Sequence, residues 1–225
     1  MSDINFLINF FEEQFEAHRN PEYALRMKAY MKDKFEFYGI QSPIRKQLVS
    51  KAWKIYKITD SSDLYKFGNH CWSRSEREWQ YAALDIMGKC NKLYDETTVP
   101  FAERLISTRS WWDTVDWIAS HIIGGSLMKH HNLRNDCIDR WMSSGNIWLQ
   151  RTCLIFQLKY REQTDFELMS TLILDLKGSK DFFIRKGAGW ALRQYSKFRP
   201  DLVKSFIEAN PDLPNLTKRE GLKYC

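Results

Sequence analysis

DFFIRKGAGWALRQY, residues 181–195, decides how the chain is read. Phe183, Gly187, Trp190 and Gln194 recur at helical spacing and share one face. Two other stretches resemble it: SEREWQYAALDIMGK (75–89) and NIWLQRTCLIFQLKY (146–160). Each has an aromatic residue near its start, small residues midway and a basic residue near its end. The spacing between them is irregular but fits degenerate HEAT-like repeats, in which helix pairs stack and bury a shared core.

Working outward, the chain reads as helix after helix. The periodicity predicts helices near 3–18, 21–38, 43–58, 61–71, 74–91, 97–108, 111–124, 132–143, 146–161, 165–177, 181–197, 200–209 and 217–224. Ser73-x-x-Glu76 and Thr164-x-x-Glu167 have the form of capping boxes, and Pro21, Pro43 and Pro200 sit where first turns begin. No alternating stretch of any length argues for a strand. The expected fold is all-α: a curved superhelical stack of HEAT-like antiparallel helix pairs, an α-solenoid. An orthogonal bundle is the plainer alternative. No linker exceeds a few residues, so residues 1–225 are read as one domain.

Composition bounds the function. The 225 residues are 44% hydrophobic and 15% aromatic, which fits a folded protein with a substantial core. Lys plus Arg number 34 against 28 Asp plus Glu, a net charge of +6, which favours polyanionic partners without proving one. Cys71, Cys90, Cys137, Cys153 and Cys225 form no C-x-x-C pair, so neither a disulfide framework nor a zinc site is expected. Cys90 and Cys153 suit small core fillers. The N-terminus carries acids and lacks a basic region and a cleavage signal, so it is not read as a signal peptide. No uncharged run approaches ~18 residues, so no membrane span is expected. A cytoplasmic location is expected.

SWWDTVDW, residues 110–117, poses the functional question. Ser110-x-x-Asp113 has the S-x-x-D form of a capping box, and Asp113 lies in the first turn, where the helix dipole favours an anion. Asp113 is thus explained structurally. Asp116 is not: it lies a turn further in, with Trp112 at i−4. A carboxylate beside that ring is partly desolvated, which raises its pKa unless a cation or donor offsets this. The structural alternative is a carboxylate at the core edge, satisfied by a distant arginine. In NIWLQRTCLIFQLKY, Ile147, Leu154 and Leu158 form an apolar stripe that Arg151 interrupts. Such an arginine snorkels or pairs with an acid, and Asp116 is a candidate partner; a structural ion pair or a phosphate contact is the other reading. On the 181–195 stretch, Gly187, Ala188 and Gly189 leave room around Trp190. Lys186, Arg193, Lys197 and Arg199 make the helix basic, as suits a nucleic-acid backbone, although most aromatic stripes are core.

At these residues the sequence resembles the AlkD family of DNA glycosylases, HEAT-like enzymes that remove alkylated purines. The resemblance runs from GIQSP (39–43) to LTKRE (216–220) through SWWDTVD, NIWLQR, FQLKY and FFIRKGAGWALRQY. It implies Asp116 as the catalytic aspartate, Trp112 and Trp190 as tryptophans flanking the sugar, and Arg151 as the accompanying arginine. It further implies DNA contacts from Gln41, Phe182 and Phe183, beside the basic Lys186, Arg193 and Lys197. The expected substrate is double-stranded DNA carrying N3- or N7-alkylated purines. No metal, cofactor or obligate protein partner is implied, and a monomer is expected. The family is also expected to leave the lesion largely stacked, gripping the duplex by its backbone. The chemistry suits one carboxylate: such purines are already cationic, so the base leaves neutral without a general acid. Two other readings remain, a non-catalytic DNA-structure binder of the same fold and a HEAT-type protein scaffold.

Overall fold

In the computed structural model, residues 4–225 are described, and every regular element among them is helical. The predicted start of the first helix at Asp3 lies outside the described residues. No helix among them is long and apolar enough to cross a membrane. The all-α class expected from the periodicity is what the structure shows. The chain divides into two compact units, one up to Thr97 and one from Thr98.

The first unit holds α1 (Ile4–Ala17), α2 (Pro21–Tyr30), α3 (Ser42–Ile55), α4 (Ser61–Ser73) and α5 (Arg77–Lys89). Helix α5 packs on α3 and α4, and α1 packs on both of these. Their inward faces meet in an aromatic core: Phe15 lies 5.1 Å from Trp79 and 5.4 Å from Phe11, which lies 5.8 Å from Phe67. Each such ring taken out of water stabilises the fold by about 1.5–3 kcal/mol.

The second unit begins with α6 (Thr98–Ser107) and α7 (Trp112–Trp117). A π-helical turn (Ile118–Ile123) and α8 (Gly124–Lys129) continue α7. Then come α9 (Arg134–Ser143), α10 (Ile147–Ile155), α11 (Phe166–Asp175), α12 (Phe182–Tyr195), α13 (Pro200–Ala209) and α14 (Asn215–Gly221). Helix α12 lies between α10 and α14, and α10 also packs on α6, α7 and α9. Packing chiefly between helices one or two places apart in the chain is what stacked helical repeats give. Trp141, Ile118, Ile123 and Ile155 are fully buried among these helices. Cys90 in the first unit and Cys153 in the second are buried, as core fillers should be.

The caps differ from expectation. Neither box forms: Glu76, not Ser73, stands at the head of α5, and Ser73 Oγ donates back to the His70 carbonyl. At α11 the cap is Asp165, whose carboxylate accepts the Leu168 amide, while Thr164 donates to the Arg161 carbonyl. At α5 no side chain caps the helix; at α11 a carboxylate one residue further on displaced the hydroxyl. Asn20, Asp60, Asn146 and Asp181 likewise cap α2, α4, α10 and α12 through their side chains.

Helix α2 stops at Tyr30, eight residues short of its predicted end. Lys32 and Asp33 take positive φ, which no α-helix continues through. The following segment is extended, and the Glu36 carbonyl accepts the Arg77 amide at 2.8 Å. Buried Glu78 then accepts the amides of Tyr38, Gly39 and Ile40 at 3.1, 2.9 and 3.0 Å. Burial pushes Glu78 above the ordinary carboxylate range, and those amides oppose the shift.

Candidate active site

Asp116 stands two residues before the π-helical turn. Ser120 Oγ donates to its carbonyl at 2.8 Å and His121 Nδ1 lies 3.1 Å from the Trp117 carbonyl, so side chains compete for the carbonyls that an α-helix would use. Such turns are often found at functional sites. The paired tryptophans part company here. Trp111 packs on Trp148 and Phe183, with ring centroids 5.6 and 5.1 Å away, while Trp112 faces an open hollow.

The anomalous arginine of α10 meets the anomalous aspartate of α7. Arg151 Nε donates to Asp116 Oδ1 at 2.7 Å and Nη2 to Oδ2 at 2.8 Å. This bidentate fork fixes the carboxylate in direction as well as charge. The third guanidinium nitrogen, Nη1, donates to the Phe183 carbonyl at the start of α12. The arginine side chain is only 4% exposed, whereas Asp116 keeps 16%, so one edge of the carboxylate remains reachable. Burial pushes Asp116 above the ordinary carboxylate value, and the Arg151 hydrogen bonds and charge pull against it.

Gly187 makes this pairing possible, and Gly189 does the same for a second charged residue. Both admit charged side chains, a role that the sequence does not show. A Cβ on Gly187 would lie 3.0 Å from Arg151 Nη1, so the glycine opens the path of the guanidinium. A Cβ on Gly189 would lie 2.6 Å from the Cβ of Glu220 on α14 and 3.0 Å from the Thr217 carbonyl. Gly189→Ala is therefore expected to lower stability by about 1–3 kcal/mol through overpacking. Chemical denaturation measures it, and an unchanged midpoint would show that α12 and α14 separate freely.

Glu220 is a residue that sequence reading missed. It is 3% exposed and holds three cations: Lys186 Nζ at 2.8 Å, Arg193 Nη1 at 2.9 Å and Lys223 Nζ at 3.0 Å. Lys186, followed by Lys223, draws its pKa down to about 2. No local signal reveals it, because KREGLKY reads as a solvated charge run and two of the three partners lie on α12.

The hollow in front of the ion pair is about 340 Å³ and is walled by Trp112, Asp116, Arg151, Phe182, Phe183, Lys186, Trp190 and Arg193. A second, of about 780 Å³, shares Asp116 and Trp190 with the first and is bounded by Trp117, Ser120, His121, Lys159, Arg161 and Gln194 among others. Trp117 and His121 stack in parallel there, 4.4 Å apart. Burial, then Lys159, holds His121 below its ordinary pKa. Phe182 is exposed, whereas the Phe183 ring packs on Trp148 at 4.9 Å. Lys197 turns away, to Gln194 Oε1 and the Tyr224 ring. Arg199 pairs with Asp201. In the first unit, exposed Gln41 stands at the head of α3, directly after the segment that Glu78 holds.

The S-x-x-D reading of Ser110 and Asp113 needs correction. Trp111 stands at the N-cap, and Ser110 Oγ donates to the Ile106 carbonyl at 2.6 Å. Asp113 is the second helical residue, one position too early for the box, although it keeps its first-turn place near the dipole.

Comparison with solved structures places the chain in a class of all-helical proteins. A predicted DNA alkylation repair enzyme from Enterococcus faecalis is 32% identical with a TM-score of 0.84, over 92% of this chain and 96% of that one. AlkD2 from Streptococcus mutans is 20% identical with a TM-score of 0.60, over 90% and 97%. The smu.31 protein of Streptococcus mutans UA159 is 20% identical with a TM-score of 0.59, over 90% and 98%. The last two speak to the fold alone. No curated protein sequence gives a significant match. The profile of the DNA alkylation repair enzymes matches residues 11–225, and the chain belongs to that family.

Proposed function

We propose that the chain is a DNA glycosylase that hydrolyses the N-glycosidic bond of cationic N3- or N7-alkylated purines in duplex DNA. The observation that carries this reading is the Asp116 carboxylate, held by the Arg151 fork on an open wall that it shares with Trp112 and Trp190. The C1′–N bond breaks with its electron pair going to the base, which leaves neutral because it began cationic. The sugar becomes oxocarbenium-like. Asp116 supplies the field that stabilises it, and the electron-rich faces of Trp112 and Trp190 add to that field. Water then adds to C1′ and gives up its proton, with Asp116 oriented to receive it. Arg151 holds the carboxylate in place rather than touching the sugar.

The walls also favour gripping the backbone over swallowing the base. Lys186 and Arg193 line the same hollow as Asp116. They attract a phosphate and repel a cationic purine, which supports excision without base flipping. Phe182 and Gln41 are proposed DNA contacts, and Lys197 a peripheral one. The whole chain is proposed to work as one DNA-binding domain, as a monomer in the cytoplasm, without metal or cofactor.

The test is incubation with methylated duplex DNA and detection of free methylated base. Binding without any base released would identify a non-catalytic DNA-structure binder of the same fold. Affinity for duplex DNA is expected to be nearly blind to sequence and to fall steeply between 50 and 200 mM salt, roughly 10-fold or more, as phosphate contacts release counterions. Affinity that stays level over that range, measured by fluorescence anisotropy, would contradict a backbone grip.

A further inference from the structure

We propose that Glu220 is a positioning residue for the DNA reaction, presetting Lys186 and Arg193 to receive the phosphates that flank the reacting sugar. The proposal rests on the glycosylase reading of the adjacent hollow. A carboxylate beneath a surface meant for a polyanion is unexpected on charge alone, since it removes one positive charge from three. Its geometry gives the reason. Glu220 is 3% exposed, yet Lys186 and Arg193, which it holds at 2.8 and 2.9 Å, both reach the wall of the hollow that contains Asp116. Long cationic side chains lose much rotamer freedom when a ligand orders them. Here a buried anchor has already ordered two of them, and the remaining charge, three cations less one carboxylate, is still positive.

The fold is shaped around this anchor. Gly189 gives the Glu220 side chain its place against α12, and Thr217 Oγ1 donates to the Arg185 carbonyl at 3.0 Å one turn before it along α14. The carboxylate stays ionised across neutral pH, because Lys186 and Lys223 hold its pKa near 2. The carboxylate therefore holds the two cations across neutral pH.

Glu220→Gln keeps the shape and removes the charge. Single-turnover excision of N7-methylguanine, affinity for undamaged duplex and its salt dependence would be measured for wild type, Glu220→Gln, Lys186→Ala/Arg193→Ala and the triple variant, each with its melting temperature. Glu220→Gln is expected to excise about 10- to 100-fold more slowly, the scale of a misplaced reacting group. It is also expected to bind undamaged duplex as tightly or more tightly, with a steeper salt slope, because one more cation is free. Placed on the double variant, it should have no further effect on excision, because the groups it acts through are gone. An equal loss in both backgrounds, a loss of excision and binding together in step with melting, or unchanged excision would each overturn the proposal. If wild type released no base, the glycosylase reading alone would fail. The binding arm would still decide for Glu220: an affinity and salt slope identical to wild type would overturn it.

Discussion

Asp116→Asn is expected to excise N7-methylguanine about 10²–10³-fold more slowly than wild type, the loss of one strong electrostatic stabiliser of a transition state, roughly 3–4 kcal/mol. The amide is nearly isosteric but carries no charge to offset an oxocarbenium ion. It also presents an NH₂ group to a guanidinium that donates to both carboxylate oxygens. A donor then faces a donor, so stability should fall as well, by about 1–3 kcal/mol. Excision must therefore be read in single turnover at a temperature where both proteins are folded. Asp113→Asn is the control. No capping box is broken there, the first-turn dipole contributes about 0.3–1 kcal/mol, and excision is expected to stay close to wild type. Should Asp113→Asn be the inactive one, the two aspartates would have exchanged roles.

Arg151→Ala is expected to cost about 3–5 kcal/mol of stability, because it strands a buried carboxylate without its partner. The pH dependence of the loss has a defined sign. Burial raises Asp116 and Arg151 lowers it, so removing Arg151 leaves the raising influence unopposed. A folded-state pKa above the unfolded value means that the folded protein binds the proton more tightly. Stability is then fully present below the unfolded pKa and is lost as pH rises through the folded one. The variant should accordingly recover part of its deficit at acid pH. Excision needs the ionised carboxylate, so its acid limb should lie above the ordinary aspartate range in wild type and move higher still in Arg151→Ala. Melting and single-turnover rate, each followed across pH, provide the measurements. A deficit that deepens as pH falls would show that Asp116 does not carry the effect.

Helices were legible because a 3.6-residue period needs only the local sequence. Their ends were less so. Ser73 and Thr164 satisfied a spacing rule, but the path of the incoming chain turned Ser73 back to the His70 carbonyl and brought Asp165 to the cap in place of Thr164. The overrun of α2 has a more distant cause: Glu78 claims three amides of residues 38–40, which a helix would have used internally. In the site, the pairing of Arg151 with Asp116 could be anticipated because each residue is out of place on its own helix face. Gly187 and Gly189 stand out in the sequence, but their spatial neighbours do not. A glycine announces space, while what fills it comes from elsewhere in the chain, here Arg151 and Glu220. Glu220 itself carried no local mark at all.

The π-helical turn after Asp116 has one further consequence. Such a turn is an α-helix carrying one additional residue, and each α-helical residue advances the side chains by 100° around the axis. Here α8 is pinned beyond the turn, where the Gly124 carbonyl accepts the Tyr160 hydroxyl at 2.8 Å. The added residue therefore sets the phase between that pinned end and the face carrying Trp112 and Asp116. Deleting a single isoleucine from Ile118–Ile123 would restore the ordinary pitch and swing Asp116 about a quarter-turn away from Arg151. The helix would keep all its other residues and most of its apolar face. Chain length within one turn, more than the identity of any residue in it, aims the carboxylate.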